Sequence, residues 1–272
     1  MQQQEDEQGF VERASGEPGS IVRGRVCSYT GYRESMPNPV HRVETPAGNL
    51  NLIVSFGDEF FAPATAGVEE LSAYTSFAVG MHDRPSQTAH NGRQLGMQIG
   101  LDPCAAFSLL GVPLHELGNR VVALDELLGT DAERWAAQLA ETRGWQERFW
   151  LLDQLLGERL AAGPQPSTAL VWAWRTMQNA SGSVPIADLV RGAGCSHRHL
   201  VAQFREQVGA TPKTAARLLR YTRAARLLAR NDLPPAQVAA VCGYADQSHL
   251  TREYRRFSGT TPGADTVTGN AA

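Results

Sequence analysis

An internal duplication in the last third constrains this chain more than any other feature. In the first copy Val190, Gly194, Leu200, Phe204, Gly209, Thr211 and Pro212 fall in order; in the second the series is Ala239, Gly243, Leu250, Tyr254, Gly259, Thr261 and Pro262. The offset is 49 residues before each internal turn and 50 after it, so the second turn is one residue longer, a change that a loop absorbs.

Each copy reads as helix, turn, helix. In the first, Pro185 opens a helix, Gly194 supplies the positive φ that ends it, and Ser196 caps the next. Leu200, Phe204 and Val208 then share one face, and His197, Arg198, Val201, Ala202 and Arg205 the other. In the second, Pro234 and Pro235 open the helix, Gly243 breaks it and Asp246 is the cap. Leu250, Tyr254 and Phe257 face inward while Gln247, Ser248, Thr251, Arg252 and Arg255 face out. Such an outer face suits the major groove, because Arg bonds guanine and Gln bonds adenine in bidentate fashion. Between the copies, Pro212 to Ala229 reads as one long helix. Its Ala216, Leu219, Ala224, Leu227 and Leu228 point to the core, with Arg217, Arg220, Arg223, Arg226 and Arg230 around the rest. A rod of this kind holding two reading helices about 34 Å apart would set them in successive major grooves. The rod's arginines are expected either to bind phosphate or to bridge the two units through carboxylates, Arg223 and Arg226 above all.

These residues resemble the AraC/XylS family of transcription regulators. The stretch Val238-Ala239-Ala240-Val241-Cys242-Gly243-Tyr244-Ala245-Asp246-Gln247-Ser248-His249-Leu250-Thr251-Arg252-Glu253-Tyr254-Arg255-Arg256-Phe257, followed by Gly259-Thr260-Thr261-Pro262-Gly263, follows the family signature, and the match runs from Val184 to Asp265. The resemblance implies a seven-helix domain of two helix-turn-helix units that binds double-stranded DNA, with RNA polymerase as a further partner. By position, Gln247, Ser248, His249 and Arg252 are the second unit's contacts, flanked by Thr251, Arg255 and Arg256. In the first unit the matching positions are Arg198, Val201 and Ala202, beside Ser196, His197 and Arg205. Val201 and Ala202 cannot hydrogen-bond a base edge, a departure from family members with polar side chains there. First-unit reading therefore falls to Arg198 and His197, with apolar contact to thymine methyls.

Charge bears on the same question. Taken whole, a net charge of −3 argues against a nucleic-acid partner. Residues 1–181, however, hold 13 Arg against 22 Asp and Glu, while residues 182–272 hold 12 basic against 6 acidic residues, so a net −9 is joined to a net +6. That is the asymmetry of an acidic module attached to a nucleic-acid-binding one. Lys213 is the only Lys. An arginine bias suits fork-like phosphate and guanine contacts, and a genome rich in G and C produces it equally.

The first hundred residues read as short extended segments between Gly- and Pro-rich turns, among them Ser20 to Ser28, Leu50 to Phe56, Ser76 to Met81 and Leu95 to Leu101. From Asp102 the period becomes helical, through Leu110, around Leu114 to Leu117 and Asp125 to Leu128, then over Ala132 to Thr142 and Trp145 to Ala161. Gly163-Pro164-Gln165-Pro166 breaks the chain before a helix from Thr168 to Asn179. The expected fold is α+β: a cupin-like β-barrel or sandwich with helices in residues 1–163, then an all-α domain in residues 164–272. The first domain resembles the β-rich sensory domains that precede this module in many regulators, which implies a small-molecule effector site or a dimer surface. In the helix from Trp145, the stripe Trp145, Phe149, Leu152, Leu156 and Leu160 either covers the β domain or forms a homodimer seam through residues 145–160.

Other chemistry finds little footing. Phe56, Phe60, Phe61 and Phe77 either line an apolar pocket or pack the core, and Phe56, Phe77 and His82 are the candidate effector contacts. His41, His82 and His90 lack a ligand pattern and are expected at the surface or in loops, with no metal and no cofactor. Cys27, Cys104, Cys195 and Cys242 stand far apart and are expected as buried small hydrophobes, although Cys195 and Cys242 flank the two turns. No Gly-rich phosphate loop, G-x-S-x-G elbow or H-E-x-x-H occurs, so no enzyme is expected. The alternative is an enzymatic or metal-binding β-barrel fused to a DNA-binding tail. No apolar run approaches a membrane span, and Met1 to Gln8 is polar and acidic where a secretion signal is basic and then apolar, so the expected location is cytoplasmic, on the bacterial nucleoid.

Overall fold

The computed structural model describes the backbone of residues 2–6 and residues 9–262 in full; the end of the family-like stretch, residues 263–265, lies outside them. The strands are β1 (Gln2–Asp6), β2 (Gly9–Gly16), β3 (Val26–Ser35), β4 (Val40–Glu44), β5 (Leu50–Ser55), β6 (Phe60–Pro63), β7 (Leu71–Tyr74), β8 (Phe77–Val79), β9 (Ser86–His90), β10 (Arg93–Leu101) and β11 (Val121–Ala123). Helix α1 (Pro103–Leu110) and a 3-10 turn (Leu114–Glu116) precede β11, and α2 (Leu124–Leu128), α3 (Thr130–Glu141) and α4 (Trp145–Ala162) follow it. The last third is α5 (Thr168–Asn179), α6 (Ile186–Ala193), α7 (His197–Val208), α8 (Pro212–Arg230), α9 (Pro235–Val241) and α10 (Gln247–Ser258).

Two antiparallel sheets form the β region, one ordered β1-β2-β3-β10-β5-β8-β11 and the other β4-β9-β6-β7. Alternation decides what each face meets. In β5, Leu50, Leu52 and Val54 point to one side and join α1, α3 and α4 in a single core with Met97, Ile99, Trp135, Phe149, Leu152 and Leu156. The other side of the same sheet gives Tyr32 and Phe77, which pack on Phe60 and Ala62 of the smaller sheet. The order from outside in is therefore helices, large sheet, small sheet, the cupin-like arrangement expected. One expected strand is corrected. Residues 20–25 turn rather than extend, with Arg25 and Val26 both donating to the Val22 carbonyl, and β3 starts at Val26.

The stripe on α4 is spent on this core. Phe149, Leu152, Leu156 and Leu160 are buried against the sheet, so the seam reading of that stripe is corrected to sheet cover. The strands make room for it: a Cβ at Gly31 would run into the Trp145 ring and one at Gly16 into Phe149. Trp145 Nε1 donates to Glu12 Oε1 (2.9 Å), Phe149 stacks on Tyr29 at 5.8 Å, and the buried Asp153 accepts from the Tyr29 hydroxyl (3.0 Å) and the Gly19 amide. The outward side of α4 carries Trp150, 59% exposed.

Of the three histidines only His90, at the end of β9, departs from expectation; His82 lies in the loop between β8 and β9. His41 is exposed, but His82 and His90 are buried. His90 Nε2 lies 3.3 Å from Glu34 Oε2, and the same oxygen takes Arg42 Nη2 at 2.6 Å, so His90 sits in a small ionic cluster between the sheets. Burial by itself would raise the Glu34 carboxyl, but hydrogen bonds from His90 and Arg42, together with their charge, hold it at about 2. Among the described residues no three His, Cys, Asp or Glu side chains converge as metal ligands would. The cysteines also divide: Cys104 and Cys242 are buried, Cys195 is half-buried, and Cys27 is exposed on β3, where alternation turns it outward. No described helix is long and apolar enough to cross a membrane.

The β and helical regions meet at α1. Asp102 caps α1 by accepting from the Cys104 amide, and its second oxygen accepts from Trp174 Nε1 (2.7 Å) and Gln178 Nε2 (3.0 Å) of α5. Burial raises the Asp102 carboxyl despite these donors. Met81 and Cys104 contribute to the core of the helical region.

Candidate nucleic-acid interface

The two repeats fold as two helix-turn-helix units. Gly194 and Gly243, equivalent in the repeat, both adopt the left-handed conformation (φ of 64° and 74°), the turn that an L side chain resists. Each second helix begins at its expected cap. Ser196 Oγ accepts from the His199 amide at 3.2 Å, and Asp246 Oδ1 accepts from the His249 amide at 2.6 Å. Inside, Leu200, Phe204 and Val208 of α7 and Leu250, Tyr254 and Phe257 of α10 are buried, as the spacing predicts.

Helix α8 joins the units. Thr211 caps it, Pro212 opens it, and Asn231 closes it in the left-handed conformation. Its buried residues are Pro212, Ala215, Ala216, Leu218, Tyr221 and Ala224, whereas Leu219, Leu227 and Leu228 are only half-buried. The inward face turns along the rod because its first half packs in the core around Phe204 and Phe257 and its second half in a separate one with Val238, Cys242 and Leu250. Tyr221, which the spacing did not pick out, lies tilted against Phe257 (4.9 Å) and edge-on to Tyr254 (5.4 Å) and ties the rod to α10.

Two of the rod's arginines serve as braces. Arg217 grips Glu253 in a fork, Nε to Oε2 and Nη2 to Oε1, both 2.7 Å. That pairing raises the Arg217 guanidinium and lowers the Glu253 carboxyl from their ordinary values. Arg220 lies over the Tyr244 ring at 5.6 Å, with Nη1 3.4 Å from the Gly243 carbonyl. The bridging weighed for Arg223 and Arg226 as one of two roles is performed in the structure by Arg217 and Arg220. Arg226 and Arg230 are exposed.

The outward faces carry the residues singled out from the sequence. On α7, His197, Arg198, Ala202 and Arg205 are exposed, Val201 is half-buried, and Ser196 stands at the cap. On α10, Gln247, Ser248, Arg252 and Arg255 are exposed, while the half-buried Thr251 returns its hydroxyl to the Gln247 carbonyl at 2.9 Å. His249 is partly occupied at home. Its Nδ1 accepts from the Ala245 amide (3.4 Å) and its ring stands edge-on to Tyr244, so the neutral ring has Nε2–H left as a donor. Arg256 turns from this face toward the β region and meets Asp83 Oδ2 at 3.2 Å.

The candidate effector residues do not share one layer. Phe77 lies between the sheets, Phe56 packs on the helical side beneath the Arg148 guanidinium (5.0 Å), and His82 is buried near the junction, its Nδ1 3.2 Å from the Gly80 carbonyl. Burial lowers His82 from its ordinary value. Sequence reasoning missed the layer around Tyr32, Glu34 and His90, whose partners are far apart in the chain and carry no local motif.

Comparison with known proteins places this geometry. The family described as a helix-turn-helix domain matches residues 189–265. The transcriptional regulator GlxA of Rhizobium meliloti is 26% identical over 200 residues, 71% of this chain and 62% of GlxA. The transcriptional activator RhaR of Enterobacter sp. (strain 638) is 38% identical over 68 residues, 25% of this chain and 24% of RhaR. The last third is thus similar to the helix-turn-helix domains of known transcription regulators. The chain spans less than two thirds of the length of either relative. In overall fold the chain is similar to ToxT from Vibrio cholerae, with a TM-score of 0.54 at 9% identity over 90% of this chain and 100% of ToxT. A ToxT structure bound to (E)-4-(8-methylnaphthalen-1-yl)but-3-enoic acid aligns at 0.51 and 8% identity, over 89% and 99% of the two chains. At these identities the likeness concerns the fold, cupin-like sheets followed by a helical region with two helix-turn-helix units.

Proposed function

We propose that this protein is a sequence-specific DNA-binding transcription regulator of AraC/XylS type, in which residues 164–272 read DNA and residues 1–163 form a sensory or dimerising domain. The observation that carries the reading is the pair of capped helices α7 and α10 fixed to one rod, each with an exposed polar face. The net +6 on residues 182–272 supports it, because phosphate neutralisation supplies most of the affinity of such modules for DNA. Arg252, Gln247 and Ser248 are the expected base contacts of the second unit. His249 Nε2–H donates to a base or phosphate acceptor, and Arg198 and His197 carry the first unit. Such a regulator acts on the nucleoid in the cytoplasm, contacts RNA polymerase and carries out no catalysis.

The solved ToxT complex with a small organic acid supports an effector-responsive first domain here, with Phe77, Phe56 and His82 the residues to test. Fluorescence anisotropy with a labelled duplex over a series of salt concentrations tests the DNA reading: affinity falls steeply as salt rises, and binding that ignores salt counts against it. A thermal-shift screen against small metabolites, alongside metal analysis, tests the first domain. Stabilisation by one compound class is expected, whereas a stoichiometric metal would favour a metal-binding β domain.

A further inference from the structure

Gly209 and Gly259, equivalent in the repeat, are the left-handed C-caps of α7 and α10. The β region bears on both. Gly209 lies against Leu114 and Gly118, and Gly259 lies against Pro85. The two touching segments are fastened to each other, since the Asn119 amide donates to the Met81 carbonyl (3.1 Å), the Asp83 amide to Asn119 Oδ1 (3.0 Å) and the Gly80 amide to the Arg120 carbonyl (3.3 Å). Met81 is buried in the core of the helical region. Residues 80–85 and 114–120 thus form one platform across the ends of both reading helices, and from it Asp83 reaches Arg256.

We propose that Asp83 is an intramolecular competitor of DNA. Its carboxylate occupies the guanidinium of Arg256 that a backbone phosphate would take, and the platform that carries it restrains how α7 and α10 settle on a duplex. The inference rests on the DNA-binding reading above. The Arg256 side chain is 51% exposed and that of Asp83 22%, so water and salt screen the pair and an incoming phosphate can displace it. The chemistry of the exchange is simple, because both acceptors are anionic oxygens and the guanidinium fork suits either. Asp83 sits in the acidic part of the chain, so its displacement also relieves a carboxylate lying beside phosphate.

The test uses the full chain, a mixed-sequence duplex of about 30 base pairs, and anisotropy titrations at several salt concentrations, which measure the sequence-independent term directly. Asp83→Asn is expected to tighten binding roughly two- to fivefold, the range of an exposed ion pair, and to steepen the salt slope by about one. In an Arg256→Gln background the same change is expected to do nothing. In the wild-type protein, amide exchange of residues 80–85 is expected to quicken when the duplex is added, a readout that does not depend on any variant folding. Unchanged affinity and slope in Asp83→Asn, equal tightening in the Arg256→Gln background, or exchange at 80–85 that stays the same or slows on duplex binding would each overturn the inference. If the wild-type chain failed to bind the duplex at every salt concentration, the DNA reading would fall and this inference with it. Binding by the wild-type chain with no response to Asp83 would remove this inference alone.

Discussion

Single side chains in this protein show where charge is held and where it is left free. Glu34 is the clearest case of the first. Its folded value of about 2 lies below its ordinary 4.5, so the stabilisation it contributes is complete above about 4.5 and is lost as the pH falls toward 2. Thermal midpoints measured across that window should drop more steeply for the wild-type chain than for Glu34→Gln, and identical acid profiles would mean that Glu34 contributes none of this stability. Arg252 is the clearest case of the second, exposed on α10 and with no partner among the described residues that an incoming guanine would have to displace. Arg252→Ala should cost about 1 to 3 kcal/mol at one base position and relax preference there, as read by competition with single-base variants of a bound site. A uniform loss across all variants would reassign Arg252 to phosphate. Much at this scale is local and was legible in the sequence: the caps Ser196 and Asp246 and the turn glycines Gly194 and Gly243 stand where composition at fixed offsets put them. The Arg217–Glu253 fork and the Glu34–His90–Arg42 cluster were not legible, because each joins residues brought together only by packing.

At the scale of elements, periodicity succeeded wherever one face alone is buried. The helix from Thr168 to Asn179 has the expected ends, and α1, α4 and α8 agree to within a residue or so. It succeeded less well where an element is buried on two sides. The rod α8 packs into two cores in succession, so a single stripe could not describe it, and Leu218 and Tyr221 were missed for that reason. The same limit applies to the large sheet, covered by helices on one side and strands on the other. The fit of α4 to β3 depends on the absence of a side chain at Gly31, so Gly31→Ala should push the Trp145 ring away and destabilise the fold by about 1 to 3 kcal/mol, visible in chemical denaturation. Because Trp145 and the sheet belong to the first part of the chain, DNA affinity in the folded fraction should be little altered. A loss of affinity as large as the loss of stability would mean that α4 sets the geometry of the reading helices.

For the whole molecule, the distribution of charge matters more than its sum. A net −9 stands beside a net +6, so the acidic part repels phosphate while the helical part attracts it. The two parts are nonetheless in firm contact, through Asp102 with Trp174 and Gln178 and through the platform under α7 and α10. The sequence separated the two parts by composition but carried no sign of that contact, which joins residues 72 and more positions apart. In the proposed function, two reading helices on one rod recognise one duplex in successive grooves. Selection of bound sequences from random DNA by the full-length protein tests it most directly. The expected result is an enriched motif with two clusters about ten base pairs apart, the one facing α10 the more specific. No enrichment at any of several salt concentrations, or a single compact cluster unaffected by changes in α7, would contradict it.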